Sequence, residues 1–526
     1  MPAEGMRGPG GGYRLRPGCK LSPHHLLALA RSLISLDLPL PCSEGVWVND
    51  WPMERPGSFV LHKPSFIISP RETLFHYFYM RVWMHNTDMT ALQQAREALE
   101  QGNAQEAFQI VRSVLRYSEK TWERSDFVEA WSVFAEISAI LAGEEFTNGV
   151  QAVVRHPDDV QALYDIGYQL FEQGLPDLAA TALARAHALA PDSAGVLNEL
   201  VSALETMGMN AEACRLLKAR PEVIQHNYLS RYLLAFNAIM SRDLETPRKL
   251  LASLQQGSYE HQEELASRIA SMLARADAIK DVSSLDQQDL RGWHYVVTGA
   301  FLLHLSPYGF DEGMNGRYAF VQDTRDLCLE GILRLEATLK EMDISVPRIF
   351  ALPERGSTIL AQALALKLHV PLVYWSDEGH TEPGLIAAYD LSLLDGPILV
   401  SIREHHPGQV LWSHATCWTE SFPVTADVTT FFYQVNHAPW ESQMRVNPDT
   451  KQVEHTQPDE HDAASIAAEL LQTQLKSEAL ADVPTLQALV KTAATSHGAA
   501  IPAALSTQGR RQQLWDSSPV KSSRFA

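Results

Sequence analysis

The fold of this chain is indicated most clearly by residues 163–191, which read LYDIGYQLFEQGLPDLAATALARAHALAP. The positions that matter are small, apolar or turn-forming: Leu163, Ile166, Gly167, Leu170, Gly174, Ala179, Leu183, Ala186 and Pro191. The residues 34 positions later are Leu197, Leu200, Val201, Leu204, Gly208, Ala213, Leu217, Arg220 and Gln225. Seven of these nine pairs keep a residue of the same kind. A constant spacing of this length predicts a repeated structural unit that stacks on its neighbours.

The same spacing continues more weakly on both sides. Residues 231–254 stay in phase with it, and a further unit begins near residue 88, whereas residues 122–159 have helical character but match the spacing poorly. Within the best unit, Gly167 permits close contact between two helices and Gly174 supplies the turn between them. Pro191 then interrupts the chain before the next unit.

The spacing and residue types resemble the tetratricopeptide repeat over about residues 88–261. The resemblance implies two antiparallel helices per unit, stacked into a right-handed solenoid whose concave face is formed by the first helix of each unit. The residues that the family's pattern places in this groove are Gln161, Tyr164, Tyr168, Phe171, Asn198, Ser202, Glu205, Tyr232 and Phe236. Such a groove would suit a peptide with apolar or aromatic residues. The alternative is that Tyr232 and Phe236 are covered by a neighbouring helix or by the aromatic N-terminal segment.

From about residue 345 the pattern changes to that of an α/β fold. Val346–Leu352 reads as a buried strand, Thr358–Leu368 as a helix and Val370–Trp375 as a second strand, which together make a parallel βαβ unit. Three more strands are predicted further along the chain, at Pro397–Ile402, Gln409–Ser413 and Val428–Val435. The fold class is therefore mainly α, a helical-repeat solenoid followed by a smaller α/β domain with a mostly parallel sheet.

Residues 348–373, RIFALPERGSTILAQALALKLHVPLV, resemble the opening of a type I phosphoribosyltransferase. The resemblance implies that the loop Glu354, Arg355, Gly356 and Ser357 binds a phosphorylated ligand through its backbone N–H groups, at a helix N-terminus suited to anions. The family's later strand ends in two adjacent acids. Here the corresponding stretch, 396–402, runs into Arg403-Glu404-His405-His406 and has no such pair.

Other reactive side chains occur in the same half without a complete motif. His405, His406, His414 and Cys417 are of the types that bind zinc, but their spacing matches no standard short motif. His380, Glu382 and Asp390 are candidate acid–base groups, with Ser357 or Ser401 as nucleophile, but no GxSxG motif accompanies them. The sequence therefore predicts no catalytic residue, no metal site and no cofactor, and it favours a role without catalysis.

Composition excludes several classes of function. The chain has 526 residues and a formal net charge of −20, from 43 Lys and Arg against 63 Asp and Glu, so nucleic acid and anionic membrane are unfavourable partners. Its five cysteines are far apart and include no CxxC, which argues against a disulfide framework. No apolar stretch has the length of a membrane span. A cytoplasmic protein is expected.

The predicted organisation has six parts. They are a disordered N-terminus at 1–20, an aromatic-rich segment packed on the repeats at 21–86, helical repeats at 87–310, an α/β domain at 320–440, C-terminal helices at 458–495 and a disordered tail at 496–526.

The favoured function is a protein–protein interaction scaffold or adaptor that binds a partner peptide in the groove of the repeats. The alternative is an enzyme or sensor that binds a nucleotide or phosphorylated sugar at Glu354–Ser357. A structural assembly subunit is a third reading, and the sequence indicates no oligomeric state.

Overall fold

A computed structural model describes residues 90–495, except 119–120, 124, 258, 309–312 and 377, together with 509–511, 514 and 517–523. The predicted N-terminal parts, 1–20 and 21–86, lie outside the described residues. The chain divides into two compact units, and the boundary lies between Pro191 and Asp192. This boundary falls inside the predicted repeat region 87–310, whose extent stays a prediction.

The first unit is helical. Its helices are α1 (Ala91–Glu100), α2 (Ala104–Leu115), α3 (Phe127–Leu141), α4 (Glu144–Arg155), α5 (Val160–Glu172) and α6 (Pro176–Leu189). Each helix packs against the next one along the chain. A Cβ at Gly167 on α5 would lie 2.6 Å from Leu183 Cγ on α6, so glycine is required where these two helices meet. Gly174, with φ +74°, makes the turn between them, as expected from the sequence.

The second unit begins with seven more helices. They are α7 (Ala194–Thr206), α8 (Asn210–Lys218), α9 (Pro221–His226), α10 (Tyr228–Met240), α11 (Glu245–Leu254), α12 (Glu260–Ile279) and α13 (Leu290–Thr298). Helix α12 packs against both α10 and α11. A helical region followed by a sheet of parallel strands is thus the architecture of the chain, and a tetratricopeptide-type solenoid stays a prediction.

The rest of the second unit is built on a seven-stranded sheet in which every described pairing is parallel. Its strands are β1 (Phe301–Leu302), β2 (Tyr318–Gln322), β3 (Ile349–Ala351), β4 (Leu372–Tyr374), β5 (Gly384–Asp390), β7 (Gln409–Cys417) and β8 (Val428–His437). The order is β1-β8-β7-β5-β3-β4, and β2 also pairs with β8. The chain runs from β3 outward to β4 and then returns to the other side of β3. The strand order therefore reverses between β3 and β5.

Helices and short strands flank this sheet. The helices are α14 (Arg325–Glu341), α15 (Arg355–Leu368), α16 (Gly396–Arg403), α17 (Ala463–Leu471) and α18 (Val483–Thr495). The strands β9 (Met444–Val446) and β10 (Val453–His455) form an antiparallel pair, and β6 (Glu404–His405) pairs with β11 (Gly509–Arg510). All seven residues of β5 are buried, as is usual for a central parallel strand.

One strand prediction in this region is wrong, and one strand of the sheet was not predicted. Pro397–Ile402 is not a strand but lies within α16, because Pro397 is in the first helical turn and Ile398 and Ile402 share the buried face. Strand β5 was not predicted, since its sequence GLIAAYD contains small residues that favour no structure strongly. The sheet also begins at Phe301, earlier than the predicted domain start at residue 320.

The C-terminal segment also differs from the expected disordered tail at 496–526. Residues 509–510 pair with β6, and Leu514 forms a bridge with Phe422. The Arg511 guanidinium is buried and pairs with the Asp427 carboxylate at 3.0 Å. An ion pair within the fold anchors this part of the chain, which composition alone did not indicate.

Candidate functional site at the carboxyl edge of the sheet

The predicted loop Glu354–Ser357 lies where β3 ends and α15 begins, at the point of strand-order reversal. In open parallel sheets this position is the usual ligand crevice. Here the Glu354 carboxylate accepts hydrogen bonds from Gly356 N at 2.6 Å, from Ser357 N at 2.7 Å and from Ser357 Oγ at 2.9 Å. The N–H groups expected to bind a phosphate are therefore occupied by a carboxylate of the chain itself.

The glycine of this loop is needed for packing. A Cβ at Gly356 would lie 2.7 Å from Trp440 Cζ2 and 3.0 Å from Tyr389 Cβ. The two aromatic rings contact each other edge to face, with centroids 5.0 Å apart. Arg355 donates hydrogen bonds to the carbonyls of Asp459 and His461. Side chains and the segment after β10 thus fill the space around the loop.

A second carboxylate ends β5 beside this loop. Asp390 Oδ1 accepts hydrogen bonds from Ser392 N at 2.9 Å and Ser392 Oγ at 2.8 Å, and its Oδ2 accepts one from the Tyr433 hydroxyl. Burial raises the pKa of Asp390, the Tyr433 bond lowers it, and the nearby Glu354 charge raises it further. Burial also raises the pKa of Tyr433, whose hydroxyl therefore stays protonated and donates the hydrogen bond to Asp390.

A third group, which we name the Asp323 cluster, comprises Asp323, Cys328, Tyr389 and His414. Asp323 follows β2, and its Oδ2 lies 2.8 Å from the Tyr389 hydroxyl, 3.1 Å from His414 Nε2 and 3.4 Å from Cys328 Sγ. All four residues are buried. The sequence analysis did not identify Asp323 or Tyr389 as site residues. The one signal for Asp323 is that this acid directly follows the short strand β2.

The structure separates most of the other candidate reactive residues. The one cluster of three metal-ligand side chains found among the described residues includes His414 but not His405, His406 or Cys417. Cys417 Sγ instead lies 3.3 Å from Thr419 Oγ1.

The candidate acid–base groups do not form a triad either. His380 Nδ1 is 3.5 Å from Glu382, and its ring stacks on Phe350, whereas Asp390 bonds with Tyr433. Ser401 Oγ accepts a hydrogen bond from Trp375 Nε1 and donates one to the carbonyl of Ile398. Within the described part of the chain, neither Ser401 nor Ser357 has a histidine partner.

The predicted groove residues of the first unit form a row along α5, named here the α5 row: Gln161, Tyr164, Tyr168 and Phe171. Gln161 is exposed and bonds with Asp165 at 2.7 Å, and Tyr164 and Phe171 are half-buried. The Tyr168 side chain is 43% exposed. The α5 row therefore presents aromatic surface to solvent.

The predicted groove residues of the second unit are placed differently. Tyr232 and Phe236 are buried and stack on each other, and Arg268 of α12 donates a hydrogen bond to the Tyr232 hydroxyl at 2.8 Å. Helix α12 thus contacts Tyr232, as the alternative expects of a neighbouring helix, and both aromatic side chains are buried. Asn198 is buried and Ser202 half-buried, and each hydrogen-bonds within the unit.

Glu205, also predicted in this groove, is partly buried beside Asn237, whose Nδ2 donates to Oε2 at 2.7 Å. Burial raises the pKa of Glu205 to about 7, although the Asn237 bond and the Arg268 charge lower it. In the folded protein Glu205 therefore keeps its proton up to a higher pH than it does in the unfolded chain.

Glu205→Gln is expected to remove a pH dependence of stability. The pKa of Glu205 is higher in the folded than in the unfolded state, so protonated Glu205 stabilises the folded state. This stabilisation is fully present below the unfolded-state pKa and is lost as the pH rises through about 7. Relative to the variant, the wild type should lose on the order of 1–3 kcal/mol of unfolding free energy between pH 5 and pH 8. Urea unfolding at several pH values measures this. Glu172→Gln, at an exposed acid on α5, is the matched control; equal curves for wild type and Glu205→Gln would contradict the prediction.

A small cavity lies elsewhere in the second unit, with a volume of about 40 Å³ and a lining that includes Trp293, His294, Arg317 and Trp418. The His294 Nε2 is buried with no partner among the described residues, and burial lowers its pKa to about 3. A volume of this size holds one or two water molecules rather than a nucleotide.

Among the described residues, no helix has both the length and the apolar character needed to cross a membrane. Comparison with known protein families and with curated proteins finds no match to this chain.

Proposed function

We propose that the chain is a protein-interaction scaffold or adaptor that binds a partner peptide along the α5 row, with an α/β part that has no catalytic role. The single observation that carries this proposal is the aromatic row on α5, in which Tyr168 is 43% exposed and Tyr164 and Phe171 are half-buried. Aromatic side chains are enriched among the anchors of protein interfaces.

The spacing of the α5 row suits a peptide. Tyr164, Tyr168 and Phe171 are three and four residues apart, so they lie on one side of the helix. Their ring faces would take apolar or aromatic side chains of the partner, and the amide of Gln161 at the end of the row would bond its backbone. Tyr232 and Phe236 are not part of this proposal, because both side chains are buried.

The proposal is tested with a peptide library displayed against the full chain. Peptides selected by the wild type should share apolar or aromatic positions, and Tyr164→Ala and Tyr168→Ala should each weaken their binding. Tyr374→Ala, at a tyrosine that is 61% exposed on β4, is the matched control and should leave binding unchanged. Selection of no common peptide, or equal loss with Tyr374→Ala, would contradict the proposal.

The second candidate is a sensor or enzyme that binds a nucleotide or phosphorylated sugar at Glu354–Ser357. What favours it is the position of this loop at the strand-order reversal, where parallel sheets bind ligands. A phosphate there must displace the Glu354 carboxylate from Gly356 N and Ser357 N, and the two anions would repel each other.

Thermal unfolding with nucleotides and phosphoribosyl pyrophosphate separates the two candidates. We expect no ligand to raise the unfolding temperature of the wild type. A rise that disappears in Arg355→Gln, but not in Arg403→Gln at another exposed arginine, would favour the sensor instead.

A further inference from the structure

The Asp323 cluster brings together three kinds of metal ligand from separate elements. Asp323 follows β2, Cys328 is in the first turns of α14, and His414 is in β7. One donor atom of each lies within 4.8 Å of the others, and the side chains of Asp323 and His414 are 0% exposed. Residues far apart in sequence thus converge on a point that solvent does not reach.

The charge of Asp323 is compensated differently from that of Asp427 and Glu330, two other buried acids of this unit. Asp427 pairs with Arg511 at 3.0 Å, and Glu330 pairs with Arg334 at 2.8 Å. In the described part of the chain, the ion-pair partner of Asp323 is His414, with no arginine or lysine. A buried carboxylate without a permanent cation is costly, and a divalent ion would neutralise it.

We propose that Asp323 Oδ2, Cys328 Sγ and His414 Nε2 bind a zinc ion. Zinc bonds of about 2.0 Å to oxygen and nitrogen and 2.3 Å to sulfur separate neighbouring tetrahedral ligands by about 3.3 Å for O···N and 3.5 Å for O···S. The distances from Asp323 Oδ2, 3.1 Å to nitrogen and 3.4 Å to sulfur, are close to these. A thiolate, an imidazole and a carboxylate form a donor set that suits zinc.

The surroundings of Asp323 would orient it as a ligand. Thr324 N donates to Oδ1 at 2.7 Å, and the Tyr389 hydroxyl donates to Oδ2 at 2.8 Å. Such bonds fix the orientation of a ligating carboxylate. Binding releases the thiol proton of Cys328 to solvent, and the remaining proton of the His414 ring then resides on Nδ1. Because binding releases a proton, affinity for zinc should fall as the pH decreases.

The test measures the metal in the full chain. After expression with added zinc and removal of loosely bound ions, mass spectrometry should find about one zinc per chain in the wild type and in Cys417→Ser, the matched control. Cys328→Ser and His414→Gln should each lose it. The cobalt-substituted wild type should show a sulfur-to-cobalt charge-transfer band that is absent in Cys328→Ser. A wild type that is folded by circular dichroism and binds neither zinc nor cobalt would overturn the proposal and leave the cluster as a hydrogen-bond network.

Discussion

Asp427→Ala is expected to lower the free energy of unfolding of the second unit by about 3–5 kcal/mol. The side chains of Asp427 and Arg511 are 7% and 2% exposed, and their closest contact is 3.0 Å. Removing the carboxylate leaves the guanidinium buried without its counter-charge. Asp427 Oδ2 also accepts a hydrogen bond from Leu411 N at 2.7 Å, so the variant leaves a buried donor of β7 unpaired.

The unfolding free energy that Asp427→Ala loses should be partly restored by a second substitution, at Arg511. Asp427→Ala combined with Arg511→Met removes both charges, and replacement of a buried ion pair by apolar groups is often neutral. Guanidinium unfolding of both single variants and the double variant gives the coupling between the two sites. Asp449→Ala, at an exposed aspartate, is the control. A single variant that loses less than about 1 kcal/mol, or a double variant no more stable than Asp427→Ala, would show that the ion pair does not anchor the C-terminal segment.

Gly356→Ala is expected to destabilise the second unit by about 1–3 kcal/mol through overpacking. The new methyl group would lie 2.7 Å from Trp440 Cζ2, which is closer than carbon atoms pack, and 3.0 Å from Tyr389 Cβ, which is a tight contact. The ring of Trp440 is buried and contacts that of Tyr389, so neither can move away freely.

A double-mutant cycle identifies this cause. In the background of Trp440→Leu the same alanine should cost much less, because the shorter side chain leaves room for the methyl group. Gly396→Ala is the matched control, since a Cβ there has no neighbour within 4 Å. If Gly356→Ala is as stable as the wild type, the glycine is not required for packing, and a role in ligand binding regains support.

The coarse architecture could be read from the sequence because it depends on local patterns. The small residues at Gly167 and Gly174 predict a close helix pair with a tight turn, and the structure contains both in α5 and α6. Likewise, the apolar run at Val428–Val435 predicts a buried strand, and β8 spans Val428–His437. Patterns of this kind appear in the sequence because a helix or strand carries apolar residues on each face that it buries.

Other elements could not be predicted because the local pattern is ambiguous. Ile398 and Ile402 are compatible with a short buried strand, and only their packing against Phe350 and Leu411 selects the helical face in α16. The anchoring of the C-terminal segment depends on Arg511 meeting Asp427, 84 residues earlier, and no local signal reports such a contact.

The candidate site shows the same limit. The sequence correctly located a strand-to-helix turn at Gly356, but it could not indicate that Glu354 caps the helix with its own carboxylate or that Trp440 fills the adjoining space. Equally, Tyr232 and Tyr168 look alike in sequence, whereas α12 covers only the first of them. Which aromatic residues face solvent is decided by tertiary packing.

The central claim is that the α5 row binds a peptide, and titration of one selected peptide into the full chain tests it most directly. Fluorescence anisotropy should show that Tyr168→Ala raises the dissociation constant by about 30-fold or more, which corresponds to about 2 kcal/mol for an anchor residue. Tyr374→Ala should bind as the wild type does. A Tyr168→Ala variant that is folded and retains wild-type affinity would contradict the account.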